Sequence, residues 1–410
     1  MDRYFFSKKC KILKKGNRII AYNKITGECI KISLECWKII NYIDKGFSMS
    51  QIIDALDDKE DQWYIAKLFN VLLKMDLLTD KVEHNEKLQL ESIDFMITNR
   101  CNLRCAHCCA DSSVIEEKDL LSTEDVFDIA DKIIEANPRI ITITGGEPML
   151  RYDFMELAAY IRRNFQGKVA LMTNATLINK RNALELSKCF DNFNISLDGY
   201  DEKSCSKIRG KGVFAKVLNS VDLLKSNGVF SKDISLSMVK MSTNLDGVDK
   251  FSLLNKTLGT EEIIREFDPI GRGKVNKDIL FVKSNVASEI PSCLPRAQSC
   301  AAGERKLVIN FDGGIYPCLL LRKDKYKIGE ILKIGDFKEF VQSRKYRKSI
   351  GYSNLKKIMP KFNEKCSKCN VNAFCWYCLE DFDKCVEKGT FCEWCNIQKK
   401  ELEYIWKVEN

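Results

Sequence analysis

Residues 93–108 read IDFMITNRCNLRCAHC: an apolar run of strand type that breaks into a loop carrying three cysteines. The spacing is Cys101-x3-Cys105-x2-Cys108, and Cys109 follows at once. A disulfide takes two thiols, and a structural zinc site takes four ligands, commonly grouped two and two. Three thiols crowded behind a strand fit neither pattern in its usual form.

Outward from this stretch, strand-like runs recur at 93–97, 140–144, 168–172, 192–197, 233–239 and 262–267, separated by helical patterns. In LSTEDVFDIADKIIEA (121–136), Ser122 and Asp125 make a capping box, and Val126, Ile129, Ala130 and Ile133 form one apolar stripe. Repeated βα units imply a parallel sheet over about 85–285, of α/β class. Six units are too few for a complete eight-fold barrel and predict a partial (β/α)6 barrel. Chemistry in such folds sits in loops at the C-terminal ends of strands, where the cysteine loop lies.

Two further parts flank this core. Residues 1–84 open with β-like runs around Lys11–Leu13, Arg18–Tyr22 and Glu28–Ile32, with turns at Gly16-Asn17 and Thr26-Gly27. Helical patterns follow at 34–43, 48–57 and 61–76, the last with Ile65, Leu68, Phe69 and Leu72 on one face. Three strands and then three helices predict a small winged-helix-like unit. The last helix is apolar where a DNA-recognition helix carries Arg or Asn, so a docked peptide or protein is expected there. Residues 286–410 are short on regular pattern and rich in cysteine: SCLPRAQSC, GGIYPC, KCSKCNVNAFCWYC and TFCEWC follow one another. Metal clusters are expected to hold this third part together.

Composition sets the limits. The 410 residues hold 19 cysteines, an odd number, and no apolar run approaches the ~18 residues of a membrane span. The first residues carry no apolar stretch of signal-peptide type, which leads us to expect a cytoplasmic protein. In a reducing compartment, clustered cysteines point to metal binding or redox chemistry rather than disulfides. The net charge of +9 suits an acidic or peptide partner, with no membrane association and no nucleic acid expected. Cys10, Cys29, Cys36, Cys189 and Cys205 lie in strand- or helix-like runs as small packing thiols, and His84 lies in a polar linker.

A 4Fe–4S cluster usually takes four thiolates, so three protein ligands leave one iron open to a small molecule. A zinc site completed by His107 or Cys109 is the other reading of the loop. Both of those residues lie directly beside Cys108, where joint tetrahedral ligation is strained. CxxxCxΦC after the first strand of a βα barrel resembles the radical S-adenosylmethionine (SAM) superfamily, with His107 at the aromatic position. Further motifs follow in order: TGGEP (144–148), TNATL (173–177), ISLDG (195–199) and KIRGKGVF (207–214). The resemblance implies that Cys101, Cys105 and Cys108 hold a SAM-binding cluster. It implies that Gly145, Gly146, Glu147 and Pro148 meet the SAM amino group. Thr173 and Asn174 match the TNG segment, with Ala175 a departure; Ser196 and Asp198 match the ribose-contacting pair, and Arg209 the carboxylate site.

The tail resembles a SPASM domain with two auxiliary 4Fe–4S clusters, making three in all. Cys300, Gly313 and Cys318 fit its first section, and Cys366, Cys369 and Cys375 its second. By resemblance, Cys293, Cys300, Cys318 and Cys378 hold one auxiliary cluster, and Cys366, Cys369, Cys375 and Cys392 the other. Cys385 and Cys395 are spare, and either could stand in for Cys378 or Cys392. The N-terminal part resembles the PqqD-like element that binds leader peptides by β-augmentation. Together these imply an enzyme, of oxidoreductase type, that cleaves SAM to a 5′-deoxyadenosyl radical and modifies a ribosomally made precursor peptide. The expected product is a thioether or a carbon–carbon cross-link, with electrons from a donor such as flavodoxin or ferredoxin. No general base stands out, so no catalytic side chain is named. The rival enzyme reading is an anaerobic sulfatase-maturing enzyme, whose base follows the cysteine aligned with Cys318. YPCLLL places Leu319 there. The rival of another class is an iron–sulfur redox sensor that binds DNA through its N-terminal unit.

Overall fold

The computed structural model describes residues 3–80, 89–112, 118–280, 294–297, 300–375 and 378–408; Cys293 and His84 lie outside the described residues. The chain divides into two compact units: Met1–Glu86 with Val286–Cys300 and Lys356–Asn410, and Lys87–Asn285 with Ala301–Leu355. The stretch expected as one C-terminal domain, 286–410, is thus shared between them.

In the first unit, β1 (Phe5–Phe6) is followed by β2 (Cys10–Lys15), β3 (Arg18–Asn23) and β4 (Cys29–Ser33). β2, β3 and β4 form an antiparallel sheet in that order, and β1 pairs with β5 (Leu78–Thr79). Gly16 and Gly27 turn the chain at φ +55° and +76°, a backbone region that glycine enters without penalty. Three helices follow: α1 (Leu34–Ile40), α2 (Met49–Asp54) and α3 (Lys59–Lys74). Ser33, Ser48 and Asp58 cap them, Ser48 in a reciprocal box with Gln51. The stripe Ile65, Leu68, Phe69 and Leu72 is buried as the periodicity predicts.

Strand alternation splits the core of this unit in two. Ile19 and Ala21 pack with Ile32 and the helical stripe. Leu13 and Ile20 pack with Ala297, Val371, Ala373, Phe374 and Ile405. The cysteine-rich tail is therefore anchored by apolar side chains on the N-terminal sheet. Lys31 Nζ also donates to Ile405 O at 3.2 Å. The tail is more helical than its irregular pattern predicts, with Leu379–Glu387 and Phe391–Leu402 both α-helical.

The second unit is built on a nine-stranded sheet. Its strands are β6 (Ser92–Met96), β7 (Ile140–Thr144), β8 (Lys168–Thr173), β9 (Asn192–Ser196), β10 (Ile234–Lys240), β11 (Glu261–Glu266), β12 (Lys306–Ile309), β13 (Gly314–Tyr316) and β14 (Gly329–Glu330). The order is β11-β10-β9-β8-β7-β6-β12-β13-β14. β6 to β11 pair in parallel, each within about two residues of its predicted run. β12 adds in parallel beside β6, and β13 and β14 continue antiparallel. Lys306 Nζ lies 2.6 Å from Asp94 across the β12–β6 ladder, where Asp94 is almost fully buried.

Crossover helices include α4 (Thr123–Ala136), α5 (Phe154–Asn164), α6 (Ala183–Cys189), α7 (Glu202–Arg209), α8 (Val213–Ser226) and α9 (Val248–Leu258). The Ser122–Asp125 capping box is present, and Val126, Ile129, Ala130 and Ile133 are buried. Ile93 and Phe95, Ile141 and Ile143, Val169 and Leu171, and Phe193 and Ile195 are all buried. Between them alternate polar residues such as Asp94, Thr142 and Asn194. Among the described residues no helix is long and apolar enough to cross a membrane.

Because Ile20 is fully buried between the first sheet and the tail, Ile20→Ala should cost about 2–5 kcal/mol. It should also speed limited proteolysis in 366–378, read by mass spectrometry. Unchanged cleavage there would show that the tail is anchored by something else.

Candidate active site

The cysteine loop leaves the C-terminal end of β6 and is irregular throughout. Cys101 and Cys105 are buried, and Cys108 is half-buried. Its entry is fixed by the turn after β7. Gly146 N donates to Thr98 O at 3.0 Å, and Glu147 N to Arg100 O at 2.7 Å. A Cβ on Gly145 would lie 2.4 Å from Thr98 O, and one on Gly146 2.3 Å from Arg100 O. The paired glycines are thus required by contact with the cysteine loop itself. The sequence alone assigned them to ligand approach. Pro148 is buried and starts the short turn Pro148–Leu150.

Glu147 is fully buried, and its carboxylate faces the neighbouring loop. It accepts from Thr173 Oγ1 at 2.8 Å, Asn174 N at 2.8 Å and Met149 N at 3.2 Å. Burial pushes its carboxyl up to about 7, against those hydrogen bonds and the charge of Arg209. Its side chain therefore ties the loop after β7 to the loop after β8. Asn174 Nδ2 reaches Asn102 Oδ1 at 2.9 Å and Cys101 Sγ at 3.8 Å. Ala175 takes φ +58°, the physical reason a glycine is expected there.

Asp198, past the end of β9, is fully buried at φ +61°. His107 Nε2 lies 3.1 Å from its Oδ2, and Arg209 contacts the same oxygen through Nε and Nη2 at 2.6 Å each. Val239 N donates to Oδ1 at 2.7 Å. Burial alone would raise this carboxyl, but Arg209 and His107 hold it well below the usual carboxylate range. Arg209 Nη1 also approaches Cys105 Sγ at 3.8 Å. The residues predicted to contact ribose and carboxylate thus pair with each other, and the arginine faces a thiol. Ser196 is half-buried two residues before Asp198.

The donor set decides what the loop fits. Burial pushes the Cys101 thiol up to about 11, with Glu147, Cys105 and Cys108 adding to the rise. Among the described residues, Cys101, Cys105 and Cys108 do not bring their sulfurs within 4.8 Å of one another. A single tetrahedral ion with ~2.3 Å metal–sulfur bonds requires that closeness. Spread thiols, with an amide N–H and a guanidinium beside two of them, suit a larger anionic iron–sulfur group.

Comparison with known proteins agrees. The profile of the radical SAM superfamily matches residues 95–248, and that of the SPASM iron–sulfur cluster-binding domain matches 300–370. The chain carries a radical SAM domain and a SPASM domain. It is 28% identical over 333 residues to the antilisterial bacteriocin subtilosin biosynthesis protein AlbA of Bacillus subtilis, covering 75% of this chain and 71% of that one. It is 29% identical over 274 residues to the mycofactocin maturase MftC of Mycolicibacterium smegmatis, covering 60% and 68%. The fold is shared with Streptococcus suis SuiB bound to its precursor peptide SuiA, at TM-score 0.52, 15% identity and coverage of 91% and 94%.

In the SPASM region, Cys366, Cys369, Cys375 and Cys395 line one small pocket, with Trp394 and Lys399 at its wall. Burial pushes the Cys375 thiol up to about 12, with Cys366, Cys369 and Cys395 contributing. The structure therefore gathers Cys395 with the CxxC-x5-C group, where the sequence had placed Cys392. Cys392 lies one turn earlier on the helix Phe391–Leu402 and is exposed. Cys300, Cys318 and Cys378 are half-buried.

Several supports of the radical SAM loop carry no motif of their own. Arg151 is buried and binds Asp153 at 2.8 and 2.7 Å, Ile97 O at 3.2 Å and Leu121 O at 3.0 Å. Asp119 accepts from Thr98 Oγ1 and lies 3.4 Å from Arg100 Nε. Asn244 Nδ2 holds Asp198 O at 3.2 Å. Spacing gives no signal for them.

Removing one partner of a buried ion pair leaves the other charge unpaired. Asp198→Asn should therefore destabilise the cofactor-free protein by about 3–5 kcal/mol in denaturant unfolding. A loss below about 1 kcal/mol would mean that the pair is solvated and the site open.

Proposed function

We propose that the chain reductively cleaves SAM and uses the resulting radical to modify a ribosomally made precursor peptide. The observation that carries this reading is the thiol loop at the end of β6, held between Asn174 and Arg209. Cys101, Cys105 and Cys108 would hold the 4Fe–4S cluster. When bound, the cluster and SAM supply one-electron cleavage to methionine and a 5′-deoxyadenosyl radical. The protein's part is to hold, orient and shield. Gly145, Gly146, Glu147 and Pro148 form the turn against the loop, with backbone groups for the SAM amino group. Asn174 fixes the Cys101 side, and Ser196 and Asp198 stand where ribose hydroxyls would be met. Arg209 is assigned the carboxylate, and His107 steadies Asp198.

Three features support a peptide as substrate. AlbA is named for bacteriocin biosynthesis and MftC as a maturase, and SuiB has been seen with a precursor peptide. The first unit supplies a three-stranded sheet with β2 and β4 as edges, which suits leader recognition by strand addition in a PqqD-like, winged-helix-like module. On α3, Trp63 and Tyr64 are exposed, as a peptide groove would need. Leu319 packs against the cluster of Met96, Val308 and Tyr316. It offers no proton acceptor at the position of the sulfatase-maturing base, which favours cross-linking, by thioether or carbon–carbon bond, over formylglycine formation. Electrons would come from a flavodoxin or ferredoxin.

For the auxiliary clusters we assign Cys293, Cys300, Cys318 and Cys378 to one, and Cys366, Cys369, Cys375 and Cys395 to the other. Anaerobically reconstituted protein should bind about twelve irons per chain. Cys395→Ala should lose about four of them, and Cys392→Ala should lose none. The reverse pattern would return the fourth ligand to Cys392.

With SAM and a strong reductant, the reconstituted protein should form 5′-deoxyadenosine, measured by mass spectrometry, and Cys105→Ala should not. Co-expression with a small Cys- or Asp-containing peptide encoded beside the gene should give a peptide lighter by two hydrogens. A fully loaded protein that yields no nucleoside would contradict the enzyme reading and favour an iron–sulfur sensor.

A further inference from the structure

We propose that Arg272, with Gly271 and Asn276, is a latch that sets the cysteine loop's shape and places a fixed positive charge behind it. This inference rests on the radical SAM reading of that loop. The short strap follows β11, the free edge strand of the sheet, whereas the loop follows β6, five strands away. Strap and loop nevertheless meet from Cys105 to Ser112. Arg272 Nη1 donates to Cys105 O at 3.0 Å, its Nη2 to Ser112 O at 2.6 Å, and its backbone N to Cys108 O at 3.0 Å. Asn276 Nδ2 donates to Ala106 O at 2.8 Å. Gly271 sits at φ +54°, and a Cβ there would lie 2.6 Å from Cys108 O and 2.7 Å from Cys109 O. Only glycine allows that approach.

The arrangement has two consequences. First, carbonyls at Cys105, Ala106, Cys108 and Ser112 are fixed by donors from one segment, so the thiols between them are positioned before any cluster binds. The strap thereby draws the C-terminal rim of the open barrel together at the site. Second, the Arg272 side chain is about nine-tenths buried, and its ion-pair partner, Asp111 at 3.2 Å, is largely exposed. Its charge is thus screened little on the loop side. A cation next to a cluster favours the reduced, more negative form. Arg272 is a positioning residue: it touches neither substrate nor cofactor, and acts through the loop.

The test separates shape from charge. In cofactor-free protein, hydrogen exchange of the 105–111 amides should quicken about tenfold or more in Arg272→Gln and Arg272→Lys, the equivalent of losing one charge-assisted hydrogen bond. In reconstituted protein, low-temperature EPR during redox titration should give a more negative midpoint for the SAM-site cluster in Arg272→Gln. Arg272→Lys should restore the midpoint without restoring loop protection. Wild-type exchange and potential in Arg272→Gln would overturn the inference. Should that variant not fold, the exchange arm rests on Arg272→Lys and Asn276→Ala, and unchanged protection in both overturns it. Wild-type protein that takes up no cluster at the loop would instead contradict the radical SAM reading, while the exchange arm still tests the latch.

Discussion

A loop that must present thiols cannot also hold itself together. The cysteine loop has no secondary structure, yet two of its thiols are buried. Buried backbone groups need partners, and beyond its own Cys108 N–Cys105 O and Asp111 N–Cys108 O bonds this loop finds them on segments that follow other strands. The turn after β7 takes Thr98 and Arg100, Ile208 O takes the amide of Ala106, and the strap after β11 takes the carbonyls of Cys105, Cys108 and Ser112. The parallel sheet makes this possible, because every strand delivers its exit to the same rim. The motifs are scattered over the sequence because the rim is their only meeting place.

Charge completes what the backbone begins. Two carboxylates are fully buried at the site and titrate in opposite directions. Glu147 is met mainly by neutral donors, and burial wins. Asp198 is met by Arg209 and His107, and the charges win. The first behaves as a structural tie between two loops. The second is an anion held in place, with a guanidinium that leans on both it and Cys105. Arg209 thus places a buried positive charge between a carboxylate and a thiol of the loop.

Much of this was legible in the sequence because it is local. Strand-like runs gave β6 to β11, the capping box and stripe of α4 were read directly, and the TGGEP, TNATL and ISLDG motifs lie at the exits of β7, β8 and β9. What stayed hidden is non-local. Nothing in KLVI (306–309) announces that β12 joins β6, since its ladder partners, Ser92–Phe95, lie more than 200 residues earlier in the chain. The tail looked like an irregular domain of its own because its apolar partners, Leu13 and Ile20, lie at the other end of the chain. Cys392 and Cys395 share one helix at i and i+3, so spacing could not show that Cys395 is the one that lines the pocket with Cys366, Cys369 and Cys375. Arg272 was passed over because a Gly-Arg-Gly turn says nothing of which carbonyls it will meet.

In the proposed site, Cys101, Cys105 and Cys108 leave one iron open for SAM. Electron–nuclear double resonance on the reduced, reconstituted protein tests it most directly, using SAM labelled with 15N in the amino group and 17O in the carboxylate. The account predicts hyperfine coupling from both labels at the loop's cluster, and none in Cys105→Ala. A fully reduced loop cluster with no coupling from either label would contradict it.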